Sequence, residues 1–490
     1  MRRQTVPLPR RCTLLTGDPV VTARKAPALR PLADAVNRER RVRLRRRLRM
    51  ADGIAVLCWL SAAVAVALYI AYGGLAGIAD PGAAVSAAGV LAGLAGTDLI
   101  LIMLVLAARI PLLDRAIGQD IAMAWHRRLG KPALYLILAH VVLLTAGYAL
   151  GDGSTVADET VVLFNTPDMA IAYLGLGLLV VVVVSSLIAV RLRFPYEAWH
   201  LIHMVSYVAV LVAVPHQLSI GGVLADGTGA RLYWIGLYVL AFGSILWFRF
   251  ALPMWRSHRH QIRVSAVERI APGVVSIHLT GIALDRLGTA GGQYAIWRFW
   301  TAQTWWHAHP ISFSAVPTRS TARITVRDLG RGSAGISRVR VGTRVSVEGP
   351  YGLFTTAARS APYLAVVAAG IGTTPIRAML EDSRLGPGEA TVLLRATDDS
   401  QNYLWGEVAA LTRSVNCHVY SMVGRRPPGL ATWLSEQALA SGVTLASVFP
   451  RLAESDLYVC GPQSWADLVV RDAKNAGLPA HRIHVERFDW

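Results

Sequence analysis

Four histidines stand inside apolar, membrane-length sequence: His126 and His140 in one stretch, His203 and His216 in another. An ionisable ring within a bilayer is costly enough to imply a function by default, and two pairs at near-matching separations imply two stacked sites. Haem is the occupant such pairs predict, with both axial positions filled and the iron suited to electron transfer. At about 1.5 Å per residue the step from His126 to His140 spans roughly 21 Å, most of a hydrocarbon core of about 30 Å, and returns near the same helix face. The step from His203 to His216 is one residue shorter and would leave ideal helical positions about 140° apart. Pro215 offers a correction, because a proline removes a backbone hydrogen bond and kinks the helix that carries it. His200 competes with His203, and helix geometry does not decide between them.

Runs such as YLGLGLLVVVVVSSLIAV must hold these rings, and they exceed a buried core helix. Hydropathy predicts six spans, near 52–75, 84–110, 120–149, 168–190, 197–221 and 231–252. Arginine sets their orientation: RRVRLRRRLR precedes the first span, Arg109 and Arg115 join spans two and three, Arg191 and Arg193 join four and five, and WRSHRHQIR follows the sixth. These connections should face the cytoplasm, and the alternate ones, with Asp80, Asp152, Asp158, Glu159 and Asp226, the outside. An integral protein of a bacterial plasma membrane, with both termini cytoplasmic, is the expectation. Residues 1–51 read as a disordered arginine-rich tail against anionic lipid. That placement absorbs much of the formal charge of +18, and no aromatic-interleaved basic motif or finger spacing argues for nucleic acid. Cys12, Cys58, Cys417 and Cys460 form no CxxC or metal-ligand pattern, which fits a reducing compartment for the second half.

From residue 256 the period changes to short alternating runs, QIRVSAVERI, VVSIHLTGI, ARITVRDL and TRVSVEGPYG, which predict an antiparallel β-barrel over 256–358. Within it HAHPISFSAVP puts Pro310, Ser312 and Ser314 on an extended strand whose hydroxyls suit the polar edge of a flavin. RDLGRGSAGIS offers Gly330, Gly332 and Ser333 as a turn whose amides could meet a pyrophosphate, with Arg327 and Arg331 as countercharge. Over 359–490 the pattern is strand, glycine turn, helix. YLAVVAAG leads into GIGTTPIRAML, where Gly370 and Gly372 allow a dinucleotide close to a helix start and Pro375 suits an early helical position. With TVLLRAT, HVYSMV and DLYVCG following, an α/β doubly wound nucleotide-binding domain is expected.

Taken in order, the paired histidines, HPISFS at 309–314, GPYG at 349–352, GIGTTP at 370–375, CGP at 460–462 and HVERF at 484–488 resemble the ferric reductase and NADPH oxidase superfamily over residues 52–490. In that superfamily a six-helix haem domain, here 52–255, is fused to a ferredoxin–NADP reductase-like module. The resemblance implies that His309 and Ser312 contact FAD with Pro310 fixing the strand between them. It implies that Gly370, Gly372, Thr373 and Pro375 border the dinucleotide, and that Cys460, Gly461 and Pro462 lie beside the nicotinamide. A C-terminal aromatic residue would cover the flavin ring; Phe488 and Trp490 are the candidates, with Trp490 favoured. His309 stands where many soluble reductases carry arginine, and neither an EF-hand loop nor a CxxxxCxxC iron–sulfur segment is present.

The expected activity is transfer of electrons from cytoplasmic NAD(P)H through FAD and two b-type haems to an external acceptor. His126 and His203 would hold the inner haem and His140 and His216 the outer one. Oxygen, a ferric chelate, a quinone or a periplasmic haem protein could each accept the electrons. NADPH is favoured over NADH because Arg395, a position that meets the 2′-phosphate in the oxidase branch, is joined by Arg425 and Arg426, against Asp398 and Asp399. The rival is a non-catalytic channel or transporter with a nucleotide-sensing domain, for which broken helices or charged pairs near the midplane would be expected.

Overall fold

The structure is a computed structural model, which describes residues 13–14, 30–76, 78–192, 196–219, 222–302, 304–328 and 330–487. Two compact units emerge, one over Arg49–Ala251 and the other combining the residues up to Leu48 with those from Leu252 onward. Among the described residues six helices are long and apolar enough to cross a membrane: Val42–Ala71, Pro81–Ala107, Gln119–Asp152, Met169–Ile188, Ala198–Ser219 and Gly229–His260. Their outer surfaces carry side chains such as Trp59, Val142, Leu232 and Val239, each more than 60% exposed, an apolar face that lipid rather than water would cover.

The first unit is built from the part of α1 (Arg30–Ala71) beyond Leu48, α2 (Pro81–Ala107), the short α3 (Pro111–Ile117), α4 (Gln119–Asp152), α5 (Val156–Asn165), α6 (Met169–Leu192), α7 (Tyr196–Val212), α8 (Val214–Ser219) and α9 (Gly229–Ile245). The start of α1 corrects the expected disordered tail, because helix runs unbroken from Arg30 into the first span. Beyond Pro31 its polar part lacks glycine and proline and is rich in arginine and leucine, both strong helix formers, so the span extends its own nucleus backward.

α2 and α4 pack through small residues. A Cβ on Gly82 would lie 2.8 Å from the Gly147 carbonyl, and one on Gly93 would overlap the His140 ring. In lipid, where no hydrophobic drive joins helices, such close approach supplies the packing energy. The sixth span turns through a π-helical segment, Leu246–Ala251, before α10 (Leu252–His260).

The second unit holds two sheets. β2 (Arg263–Ala271), β3 (Val274–Thr280), β4 (Tyr294–Phe299), β5 (His309–Ala315), β6 (Thr321–Arg327) and β7 (Val345–Tyr351) form the antiparallel sheet in the order β2-β3-β6-β5-β4-β7, with α11 (Arg331–Ile336) after β6. Trp297, Phe299, Phe313 and Ile324 fill its interior. β4 was not among the strands expected from the sequence; its run YAIWRF is apolar at nearly every position and shows no alternation.

The parallel sheet is ordered β1-β10-β9-β8-β11-β12, from β8 (Tyr363–Ala369), β9 (Ala390–Ala396), β10 (His418–Val423), β11 (Ser455–Gly461) and β12 (Ile483–Arg487). α12 (Thr373–Asp382), α13 (Trp405–Arg413), α14 (Glu436–Ala440), α15 (Leu445–Val448) and α16 (Gln463–Asn475) make the connections. The edge strand β1 (Thr13–Leu14) pairs antiparallel with β10, an addition the sequence did not signal. Strand order reverses between β8 and β11, and a crevice above their carboxyl ends is where such sheets bind ligands.

Candidate functional site

Both α4 histidines are held by the backbone of α2. His126 Nδ1 lies 3.1 Å from the Met103 carbonyl and His140 Nδ1 lies 2.8 Å from the Gly89 carbonyl. Met103 and Gly89 are separated by the same fourteen residues as the histidines, so two antiparallel helices keep the two contacts in phase. A carbonyl accepts only, which puts the proton on Nδ1 and leaves each Nε2 lone pair free for a metal. Pro132 lies inside α4 between the two rings without ending the helix.

On the facing segment His203 stacks on Trp199 at 5.1 Å, while Trp199 Nε1 donates to Ser186 Oγ at 3.1 Å. His203 stands across from His126, with ring centroids 6.0 Å apart and planes at 68°. Two imidazoles bonded to one metal ion at about 2 Å each would hold their centroids roughly 6 Å apart, so the pair fits a shared iron. His200 is tilted against Trp199 at 6.3 Å. The helix breaks at Ala213, so His203 lies on α7 and His216 on α8, within electrostatic reach of His140. The break comes just before Pro215, which lacks the N–H needed to continue the ladder. Neither His203 Nδ1 nor His216 Nδ1, both buried, makes a hydrogen bond of normal geometry. Among the described residues no cluster of three or more His, Cys, Asp or Glu could hold a metal ion; a haem needs only two protein ligands.

In the β-barrel the hydroxyls of Ser312 and Ser314 share one face of β5, and both residues are buried. Ser314 is used internally: Arg323 donates to its Oγ and its carbonyl at 3.1 Å each. Ser312 Oγ and His309 Nε2 are buried without partners. A buried polar atom left unpaired costs about 1–3 kcal/mol, so two on one strand mark a surface made for a polar ligand. Burial, then His307 and Arg298, bring the His309 imidazole down to about 4, so it meets a ligand neutral.

The unfolded chain regains an ordinary value near 6.5, and between those limits it binds a proton that the folded strand refuses. Stability should therefore fall as pH drops from about 6.5 toward 4. Flavin release on heating, followed by fluorescence, should shift to lower temperature across that window, and His309→Asn should flatten the shift. An equal shift in the variant would discount His309.

The expected phosphate turn is partly occupied by the protein itself. The Gly330 amide, expected to face a pyrophosphate, donates to Asp328 Oδ1 at 3.2 Å, and Ser333 Oγ donates to the Gly330 carbonyl at 3.2 Å, while the Ser333 amide lies in the first turn of α11. Gly332 falls within α11, and Arg327 is half-buried at the end of β6.

At the nucleotide crevice Gly370 has φ +55°, a left-handed conformation that favours glycine, and open space where its Cβ would be. A Cβ on Gly372 would collide with the Cys460 carbonyl, so that glycine lets the start of α12 lie against β11. Thr373 Oγ1 donates to the Gly370 carbonyl at 3.0 Å, and Pro375 occupies the first helical turn. Thr374 Oγ1 is buried without a partner. Thr374 is a candidate ligand contact that the sequence reading passed over, although it sits inside the quoted motif. Gly461 lies against Trp465 and Ala369, and Pro462 caps α16.

Cys460 is fully buried and its thiol is pushed up, first by burial and then by Glu486. Its thiol is therefore held in the neutral form. Phe488 and Trp490 lie outside the described residues.

Arg395, expected at the 2′-phosphate, bonds backbone carbonyls while its Nε is buried without a partner. It is 5% exposed, and its guanidinium donates to the carbonyls of Ala396 and Met422, at the ends of β9 and β10. Burial, then Arg426, bring it down to about 10. Arg425 and Arg426 are exposed at the carboxyl end of β10. Asp398 is held low, first by Ser400 and with a contribution from Arg425.

A network the sequence did not reveal ties the two sheets together. Arg323 on β6 makes a two-pronged contact with Glu407 of α13 at 3.0 and 2.7 Å, Arg377 of α12 donates to Glu407 at 2.8 Å and pairs with Glu381, and Glu381 accepts from the Val316 amide at 2.6 Å. Its bonded partners Arg323 and Glu407 lie 84 residues apart, so no local pattern could announce it.

Residues 92–214 match the family described as the ferric reductase like transmembrane component. A flavohemoprotein of Xylella fastidiosa is 27% identical over 209 residues, 40% of this chain and 50% of that protein. The ferredoxin reductase component of a 3-ketosteroid-9-alpha-monooxygenase of Mycobacterium tuberculosis is 28% identical over 211 residues, 41% of this chain and 56% of that protein. The chain spans about half the length of these curated relatives. Among solved structures, the FAD/NAD binding domain of a nitric oxide dioxygenase from Vibrio cholerae has a TM-score of 0.39 at 22% identity, covering 46% of this chain and 98% of that one. The chain thus joins a transmembrane component similar to ferric reductases to a module similar to flavin- and nicotinamide-dependent reductases, the order found in ferric reductase and NADPH oxidase fusions.

Proposed function

We propose that this protein is a membrane oxidoreductase that passes electrons from cytoplasmic NAD(P)H through FAD and two b-type haems to an external acceptor such as oxygen or a ferric chelate. The observation that carries the reading is the His126–His203 pair, spaced for one iron, with His126 and His140 each fixed by an α2 carbonyl. When bound, the flavin takes a hydride and yields electrons singly, and bis-histidine haems carry them one at a time.

The chain's own residues bind and orient. Gly370, Gly372, Thr373 and Thr374 would receive the dinucleotide, while Ser312 Oγ and neutral His309 Nε2 would bond the flavin. Cys460 would pack against the nicotinamide without exchanging a proton. His126 and His203 would ligate one iron, His140 and His216 the other. The arginine-rich connections support cytoplasmic termini and contact with anionic lipid.

An absorption spectrum of protein purified after haem-replete expression tests the reading. Strong haem bands that sharpen on addition of NAD(P)H, over a flavin shoulder, are expected. A spectrum without haem bands would reject it in favour of a channel or transporter with a nucleotide-sensing domain.

Ser312→Ala supplies a narrower check. Losing the one hydroxyl left unpaired on β5 should weaken FAD binding by roughly tenfold, one hydrogen bond's worth, with haem content unchanged. Equal FAD affinity in the variant would remove Ser312 from the flavin site.

A further inference from the structure

One carboxyl group deep in the helical unit has no part in the scheme above. Asp98, near the inner third of α2, is 0% exposed. Ser61 Oγ of α1 donates to its Oδ1 at 2.6 Å, and Tyr233 OH of α9 stands 3.1 Å from the same hydroxyl. Its second oxygen, Oδ2, is buried without a partner. The surrounding cluster is apolar, with Ala65, Leu94, Leu101, Trp234 and Ala241 among its members. A carboxyl group confined to a membrane interior with one bare oxygen keeps its charge only while a compensating positive charge is near, so its protonation follows the charge around it, and it is a functional group by default.

Its position relates it to both histidine levels. Asp98 lies between the two α2 carbonyls that hold the rings, five residues from Met103 and nine from Gly89. Those steps are about 7.5 and 13.5 Å along the axis. At about 100° per residue it points away from the α4 side, toward α1 and α9, so it touches no ring nitrogen. Among the described residues the titratable groups facing it are Cys58 on α1 and Tyr233 on α9, while His126 and His140 of α4 lie across α2. No cation is among them, so a charge added to the helical unit is balanced here most directly by a proton.

We infer that Asp98 is an intramembrane proton-binding site whose occupancy follows the redox state of the helical unit, taking up a proton as electrons enter and releasing it as they leave. The inference rests on the haem reading above. In the step itself one electron reaches a haem, one proton from bulk water forms the O–H bond at Asp98 Oδ2, and the local charge is restored. No further oxidant or reductant is needed. Little screens a unit charge over such distances in a low dielectric, so the two events must be coupled. Ser61 keeps Oδ1 as the acceptor, which directs the proton to the open oxygen.

Spectroelectrochemical titration of the full-length protein in nanodiscs, repeated from pH 6 to pH 8, measures the coupling. The parent should show at least one haem midpoint potential that falls as pH rises, and Asp98→Asn should lose that dependence while keeping both haem spectra. The reduced-minus-oxidised infrared spectrum of the parent should contain a protonated-carboxyl C=O band. That measurement decides the matter if the variant does not fold. Haem bands with the same pH dependence in both proteins, or no carboxyl band in the parent, would overturn the inference and leave the haem reading intact. A protein without haem bands would overturn both.

Discussion

His140→Ala protein should reach the membrane with its flavin in place, lose about half of its haem absorbance, and fail to reduce an acceptor on the far side while still reducing a soluble dye. The reason lies in the site's construction. His140 is wedged against α2 at Gly93 with its Nδ1 on the Gly89 carbonyl, so its Nε2 is presented in one fixed direction. Changing only a partner of a ligand typically costs 10- to 100-fold, so losing the ligand should cost transmembrane transfer more than about a hundredfold. Gly93→Ala is the milder version. Its methyl group would overlap the ring, so His140 must turn off the Gly89 carbonyl, and the affected haem band should shift before any haem is lost. Pyridine haemochrome counts per flavin, read beside the two reduction assays, make the check. Two haems per flavin in His140→Ala would reject the ligand assignment.

The histidine pairs were legible because a bilayer turns every polar ring into a signal. Four histidines in apolar runs need no alignment to stand out, and the proline before His216 announced the break that separates α7 from α8. What fixes the rings was not legible. The Met103 and Gly89 carbonyls are backbone atoms and leave no residue type behind, and the 6.0 Å approach of His203 to His126 joins two helices that residue spacing alone does not pair. Asp98 went unremarked because a lone acid in TDLILIMLVL reads as an interruption until Ser61 and Tyr233 are brought to it.

In the second unit glycine motifs and apolar runs located the sheets, since a buried parallel strand needs continuous apolar sequence and a tight turn needs glycine. The failures were of direction. Sequence put Arg395 at a strand end without saying that its side chain would fold back onto the carbonyls of Ala396 and Met422. It gave Gly330 a free amide without saying that Asp328, two residues away, would take it.

The reorientation of Arg395 moves the choice between NADPH and NADH to another pair of residues. A guanidinium with 5% exposure that already donates to two carbonyls would have to give up both contacts to reach a ribose phosphate. Arg425 and Arg426, exposed one strand over, can approach a dianionic phosphate freely and stay charged at every relevant pH. Asp398 would repel that phosphate, but its charge is shared with Ser400, Gln401 and Arg425, which leaves the arginines dominant. A charge-assisted hydrogen bond is worth about 1.5–3 kcal/mol, so Arg425→Ala combined with Arg426→Ala should lower kcat/KM for NADPH by roughly 10- to 100-fold and leave the value for NADH nearly unchanged. Arg395→Ala should instead depress both cofactors together and lower the unfolding temperature, because it unpins the ends of β9 and β10. Steady-state kinetics with the two cofactors on all three proteins decide it. A collapse of NADPH selectivity in Arg395→Ala, with the double variant unaffected, would return the phosphate to Arg395 and reject the assignment to Arg425 and Arg426.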